Sequence, residues 1–256
     1  MQQKSDRTDK EYIVGLEKGL AVIEAFGRQQ SRMTVTEAAK MTGLTRATAR
    51  RCLRTLEHLG YAAYDGKYFR LAPRTLRLGS AYLASDPLAR MIQPIIEAAS
   101  EHAKESISLA VLDGTDVIII ARALVRRSLS SGLSIGGRLP AYCSANGRIL
   151  LSKFPDVDVE SFLNDMPRHK LTAHTKTAIP EILKEIRRAR TQGYAVNDQE
   201  VELGLRSIAL PVRNREGEIV ASVSQQISDP GIRLPQILKS VLPKIERTRN
   251  RITTFL

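Results

Sequence analysis

Four arginines carry the clearest chemical signal in this chain. Arg46, Arg50, Arg51 and Arg54 recur at three- and four-residue spacing, so on a helix they share one side with Ala47. Ala49, Leu53, Leu56 and Leu59 fall on the other side. A helix with an apolar back and guanidinium groups in front suits a DNA major groove, where arginine reads guanine edges or grips phosphate. Thr45, Arg46, Ala47, Thr48, Arg50, Arg51 and Arg54 are the predicted contacts, with Lys67 and Arg70 expected on phosphate or in the minor groove.

Other residue groups point to chemistry that does not complete itself. Residues 132–139 have the glycine spacing of a phosphate loop but lack the Lys and following Ser/Thr that reach phosphate and magnesium. His169 and His174 lie in a polar stretch with no further metal-ligand set. Asp198, Glu200 and Glu202 have no nucleophile or histidine in a motif with them, so structural pairing, including with Arg206, is the expectation. No catalytic residue, metal ligand or cofactor is predicted.

The arginines need a rigid mount, and the flanking residues provide one. Thr34 and Glu37 fit a capping box that starts a short helix, Gly43 ends it, and Thr45 caps the arginine-bearing helix. A supporting helix is predicted over 12–26 from Ile13, Leu16, Leu20, Ile23 and Phe26. Asp65-Gly66 between aromatic-rich runs predicts a type I′ hairpin directly after the reading helix. Helix, helix, helix, hairpin is the order of a winged helix-turn-helix. Cys52 reads as a small core residue.

Bulk properties agree. A hydrophobic content of 43% allows a proper core, while a net charge of +12 calls for a polyanionic partner, either nucleic acid or an anionic membrane. Through Ser80 the chain carries fifteen Lys/Arg against eight Asp/Glu, and beyond it 24 against 19. The basic excess per residue is thus about threefold higher around the reading helix, which favours DNA over general stickiness. Two cysteines form no disulfide or zinc pattern, and no uncharged run spans a bilayer. A cytoplasmic location is the default expectation.

Predicted domains are a winged helix-turn-helix over 1–72, a linker helix over 73–86 and a second domain over 87–256. In the last, a helix from Pro87 carries Leu88, Met91, Ile92, Ile95, Ile96 and Ala99, with a kink expected at Pro94. Strands are predicted at 107–112, 117–124, 129–135, 194–197, 206–212 and 218–225. Helices are predicted at 144–153, 158–164, 179–192 and 235–254. Strands flanking a block of helices argue α+β, one antiparallel sheet with helices packed on it and loops closing a small-molecule cup over one face. Ala145, Asn146 and Gly147 open a helix whose free N–H groups would favour a carboxylate.

Three motifs carry a family resemblance. They are Val14-Gly15-Leu16-Glu17-Lys18-Gly19-Leu20-Ala21-Val22, then Gly136-Gly137-Arg138-Leu139-Pro140-Ala141-Tyr142-Cys143-Ser144, and Gly193-Tyr194-Ala195-Val196-Asn197-Asp198-Gln199-Glu200 with Gly204-Leu205-Arg206-Ser207-Ile208-Ala209. With them the chain resembles the IclR family of bacterial transcriptional regulators from about residue 12 to 226. It looks most like the subgroup that governs protocatechuate, 4-hydroxybenzoate and β-ketoadipate pathway genes. The resemblance implies a GAF-like effector domain, double-stranded promoter DNA and a small carboxylic acid as partners, and a homodimer or tetramer. It places Leu139, Ala145 and Asn146 on one effector wall and Asn197, Leu205, Ser207, Ser224 and Gln226 on the other. Asn197 stands where relatives can carry an acid, a lost negative charge that would suit an anionic ligand. Dimerisation is also expected physically, because one reading helix covers too few base pairs for useful specificity.

Overall fold

A computed structural model describes residues 11–27, 30–85, 87–125, 133–227, 231 and 233–256, with backbone only at 87–89. The chain divides into two compact units, Met1–Tyr82 and Leu83–Leu256.

In the first unit α1 (Val14–Glu24) precedes the paired helices α2 (Val35–Thr42) and α3 (Arg46–His58). The capping box forms: Glu37 N donates to Thr34 Oγ1 at 3.3 Å, and Thr34 N donates to Glu37 Oε2 at 2.7 Å. The Thr34 N–H and the Thr34 hydroxyl, which donates to the same oxygen at 2.8 Å, hold the Glu37 carboxyl below its usual range. Gly43, at φ 68°, takes the left-handed turn that ends α2, and Thr45 caps α3 by accepting from Thr48 N. Ala49, Leu53 and Leu56 are buried with Val22, Met33 and Phe69. Leu59 is not; it caps the end of α3 and is 48% exposed, because the helical period that would aim it inward has stopped at His58. Cys52 likewise sits half-buried at the core's edge.

The hairpin pairs β1 (Ala62–Tyr64) with β2 (Phe69–Leu71). Its turn differs from the predicted I′ type, in which Asp65-Gly66 would be the central pair. Gly66 and Lys67 occupy the centre, and the Asp65 carboxylate takes the place of a backbone carbonyl, accepting from Lys67 N at 2.9 Å and Tyr68 N at 2.7 Å. These two bonds lower the Asp65 pKa. Met33 adds a rung through mutual backbone bonds with Phe69 at 2.9 and 2.8 Å.

A 3-10 turn at Pro73–Thr75 leads into α4 (Leu76–Ser85). The boundary between the units falls within α4, and α5 (Pro87–Ala103) runs through Pro94 as one helix. There follow β3 (Ile107–Asp113), β4 (Asp116–Ala123), β5 (Arg138–Pro140), α6 (Ala145–Leu151), α7 (Asp156–Asn164), α8 (Ile179–Gln192), β6 (Ala195–Asp198), β7 (Arg206–Arg213), β8 (Ile219–Ile227), α9 (Leu234–Ser240) and α10 (Leu242–Thr253). The strands form one antiparallel sheet in the order β5-β4-β3-β8-β7-β6.

Two expectations are corrected here. The strand predicted at 129–135 lies at 129–132 outside the described residues, and 133–135 carry no strand. The third strand of that group is β5, which starts only after the left-handed turn at Gly136 (φ 80°). The terminal helix is two helices, since Pro243 has no N–H to carry the helical ladder across the junction at Val241.

Helices cover both faces of the sheet. On one, α6, α7 and α8 bury Ile149, Leu163 and Ile186; on the other, α5, α9 and α10 bury Ile92, Ile96, Ile237 and Ile245. Strand alternation sorts the residues: in β8, Ala221, Val223 and Ile227 join the second core, while Ser222 and Ser224 meet Asn146 of α6. One irregularity matters for function. The β3–β4 register slips between Leu109, opposite Ala121, and Ala110, opposite Ile119. This bulge leaves Ile120 as an extra residue and reverses which face β4 side chains take beyond it.

Candidate effector cavity and nucleic-acid interface

The cavity on the α6 face is built on a close backbone approach. A Cβ added to Gly147 would lie 2.1 Å from Ala141 O and 2.4 Å from its Cα, so only glycine lets the first turn of α6 seat there. Gly147→Ala is therefore expected to cost about 3 kcal/mol or more, lowering the thermal midpoint by roughly 6 °C or more. A melting curve within a degree of wild type would contradict this tight seating. The Gly147 N–H is not free for a ligand, since it donates to Ser144 Oγ at 3.1 Å.

Leu139, Ala145, Asn146, Asn197, Leu205, Ser207, Ser224 and Gln226, the eight predicted wall residues, all line this one cavity. Ser108, Ile119, Arg122, Leu133, Ser144 and Val201 also line it and were not singled out from sequence. Several wall residues are committed to holding its shape. Asn146 Nδ2 donates to Ser224 Oγ at 3.0 Å and Asn146 Oδ1 accepts from Ser222 Oγ at 3.0 Å. Asn197 Nδ2 donates to Cys143 O at 2.5 Å, tying β6 to the start of α6.

Arg122 is different. It is 8% exposed, and the bulge in β4 is what turns it toward the cavity. Its Nη1 donates to Ser108 Oγ at 3.0 Å and its Nη2 to Gln226 Oε1 at 3.1 Å, both neutral partners. Among the described residues no carboxylate pairs with it, and Arg122 Nε and Gln226 Nε2 are buried without an acceptor. Burial lowers the guanidinium pKa, yet arginine stays charged. A buried, unpaired cation beside an orphan amide donor is a costly arrangement that an incoming anion would relieve.

The predicted acid cluster has a structural role. Glu200 is 1% exposed and pairs in bidentate fashion with Arg148 at 2.7 and 2.8 Å, with Lys176 Nζ at 3.2 Å. Asp198 takes Arg206 Nε at 2.6 Å. The Arg148–Glu200 pair fastens α6 to the segment that brings Val201 and Leu205 to the cavity. Cys143 is buried nearby, and desolvation pushes its thiol up to about 12, whereas Cys52 borders an open groove. A thiol-modifying reagent should thus leave Cys143 unmodified in folded protein at pH 8 and modify it on denaturation; fast modification of Cys143 in the folded state would contradict its burial.

The cavity is about 50 Å³, room for roughly one or two waters, whereas a cavity of roughly 150 Å³ admits benzene. A larger groove of about 780 Å³ runs past Lys153, Arg190 and Arg213. Those cations already bond backbone carbonyls there, and Arg190 also pairs with Asp156, so none of the three is left without a partner.

On the first unit Arg46, Ala47, Arg50 and Arg51 are exposed on α3, and the three arginines have no partner among the described residues. Thr45 and Thr48 spend their hydroxyls on the cap, 2.9 Å apart. Arg54 is engaged within the unit: it bonds Glu57 at 2.7 Å and lies 4.5 Å over the Tyr64 ring, bracing α3 against the wing. Lys67 and Arg70 are exposed on the hairpin. Arg32, not foreseen, stacks 4.6 Å over the Tyr68 ring with Lys67 5.0 Å from the same ring, enlarging the cationic wing.

A winged reader whose Arg46, Arg50 and Arg51 have no partner among the described residues, and a separate unit with a cavity holding a buried cation, are the parts of a DNA-binding regulator. Residues 15–66 match the IclR helix-turn-helix domain and residues 80–253 the bacterial transcriptional regulator IclR C-terminal family. The chain belongs to the IclR family of transcriptional regulators and is not an enzyme. It is 41% identical over 217 residues to the Pca regulon regulatory protein of Pseudomonas putida, covering 84% of this chain and 75% of that one. It is 34% identical over 253 residues to the p-hydroxybenzoate hydroxylase transcriptional activator of Acinetobacter baylyi, covering 96% and 93%. The putative transcriptional regulator RHA06195 of Rhodococcus sp. RHA1 superposes with a TM-score of 0.79 at 40% identity, covering 95% of this chain and 98% of that one. Among the described residues no helix is long and apolar enough to cross a membrane.

Proposed function

We propose that this protein is a cytoplasmic, homodimeric or tetrameric regulator of aromatic-acid catabolic genes, whose operator binding is changed by a small carboxylic acid in the α6-face cavity. The proposed division is a reading domain over 1–72, a linker helix over 73–86 and an effector domain over 87–256. Arg122 carries the reading: a buried cation without a counter-ion among the described residues, next to the orphan Nε2 of Gln226, is complementary to a carboxylate. Ile119, Leu133, Leu139, Val201 and Leu205 supply apolar walls for a ring. The names of the relatives point to the same substrate class. Exposed Arg46, Arg50, Arg51, Lys67 and Arg70, with Thr45, Ala47, Thr48 and Arg54 beside them, form the proposed DNA surface.

Because the cavity is too small for an aromatic acid as it stands, walls must withdraw on binding, so ligand and conformation are linked. The route outward runs through Gln93 of α5, whose Nε2 donates to Arg122 O at 3.0 Å and whose Oε1 accepts from Arg122 N at 3.3 Å. Gln93→Leu should leave effector affinity within a few-fold of wild type while blunting the effector's influence on operator affinity, read by parallel calorimetry and footprinting. Full retention of that influence would exclude this route. The function itself is tested by operator affinity with and without protocatechuate, 4-hydroxybenzoate and β-ketoadipate. No change with any of the three or a related acid would sink the aromatic-acid assignment.

A further inference from the structure

Strand β8 places two glutamines on opposite faces of the sheet. Gln226 reaches Arg122 in the effector cavity; Gln225, one residue earlier, must point to the α5 and α10 side. Gln225 is 2% exposed, and its Oε1 is buried with no hydrogen-bond donor. It forms the floor of a separate cavity of about 140 Å³ between α5 and α10. Around the mouth stand His102, Lys244, Arg247 and Arg251, and among the described residues no acidic side chain lines it. None of these four side chains has a partner among the described residues. The hydroxyl of Thr248, also in the wall, is spent on Lys244 O at 3.3 Å, so it leaves the Gln225 oxygen unserved.

Two features therefore meet in one place: a buried acceptor that needs a donor, and an exposed rim on which Lys244, Arg247 and Arg251 attract negative charge. Water alone could serve the first and solvent ions the second, but one molecule serves both if it is an anion carrying its own hydrogen-bond donor, and a hydroxyl is the donor that adds no positive charge beside the cationic rim. We infer that this cavity is a second ligand site, distinct from the effector cavity, for a small hydroxylated oxyanion. Its O–H donates to Gln225 Oε1, and its anionic oxygens lie toward Arg247, Arg251 and Lys244. The site shares α5 with Gln93, so a ligand clamped between α5 and α10 bears on the same helix that holds the Arg122 main chain. The inference does not depend on which acid fills the effector cavity.

Matched probes differing in the hydroxyl test it on the full chain. Malate is compared with succinate, and inorganic phosphate with sulfate, by calorimetry. The expected result is saturable binding with malate or phosphate favoured at least about tenfold over its hydroxyl-free counterpart, because a site built to bond an O–H rejects the analogue lacking it. Preference in the malate pair identifies a hydroxy acid, and preference in the phosphate pair alone identifies a phosphoryl ligand. Gln225→Leu should erase the preference, and Arg247→Gln with Arg251→Gln should weaken binding of all four probes at least about tenfold. Both variants should keep protocatechuate binding at its wild-type level. Gln225→Leu removes an unsatisfied buried acceptor, so its thermal midpoint should be no lower than wild type. The proposal is overturned if neither hydroxylated probe is preferred, or if no probe saturates at millimolar concentration. It is also overturned if binding is lost in Arg122→Met but not in the Arg247/Arg251 variant, which would put the anion in the effector cavity.

Discussion

Arg122→Met is expected to weaken protocatechuate or 4-hydroxybenzoate binding by roughly 10²–10³-fold, since truncating one partner of a buried charge pair typically costs 2–5 kcal/mol. Methionine nearly keeps the length of the side chain and fills the space without charge. The same substitution should not harm the unliganded protein. It removes a buried guanidinium that has only Ser108 and Gln226 as partners, so the thermal midpoint without effector should hold steady or rise. Those opposite signs separate a ligand anchor from a structural arginine. A structural arginine would lose stability on replacement, as Arg148→Met should, because it strands Glu200 in the core. Wild-type effector affinity in Arg122→Met would remove the anchor from the proposal. Operator binding without effector should be unchanged in either outcome.

The second large effect belongs to the reading helix. Arg50→Ala combined with Arg51→Ala is expected to abolish operator protection at concentrations where wild type footprints fully, a loss of roughly 10²–10⁴-fold for two side chains worth about 1–3 kcal/mol each. Both side chains are exposed and have no partner among the described residues, so melting behaviour and effector binding should stay as in wild type. Salt titration sorts their roles. Each lost phosphate contact lowers the slope of log K against log salt by about 0.9, whereas a lost guanine contact leaves the slope and relaxes base preference. A retained footprint would show that another surface reads the DNA. Arg54→Ala is a different case, because that side chain also braces α3 against Tyr64 and bonds Glu57.

Local signals were legible because local physics makes them. The capping box at Thr34 and Glu37, the left-handed Gly43 and the cap at Thr45 each act within a few residues, and each appears where the residue types place it. The wing's existence was readable from Asp65-Gly66, but not its turn type. That was decided by the Asp65 carboxylate competing with the backbone for two N–H groups. The break before α10 was marked by Pro243 in plain view, overridden by an apolar period continuing on both sides of it.

Residue order dictates the winged reader and the mixed second domain, and the family resemblance carried by three motifs pointed to eight residues that line one cavity. What sequence by itself could not determine is the cavity's charge. In 117–123, strict alternation with Val117 and Ile119 puts Ala121 and Ala123 on the cavity face and turns Arg122 away, toward α5. The bulge opposite Leu109 and Ala110 inserts one residue and reverses that assignment. A bulge is a property of two strands pairing, specified by residues far apart in the chain, so no window around Arg122 contains it. The arginine helix was visible because a helix closes its hydrogen bonds on itself; Arg122's place waited on the sheet.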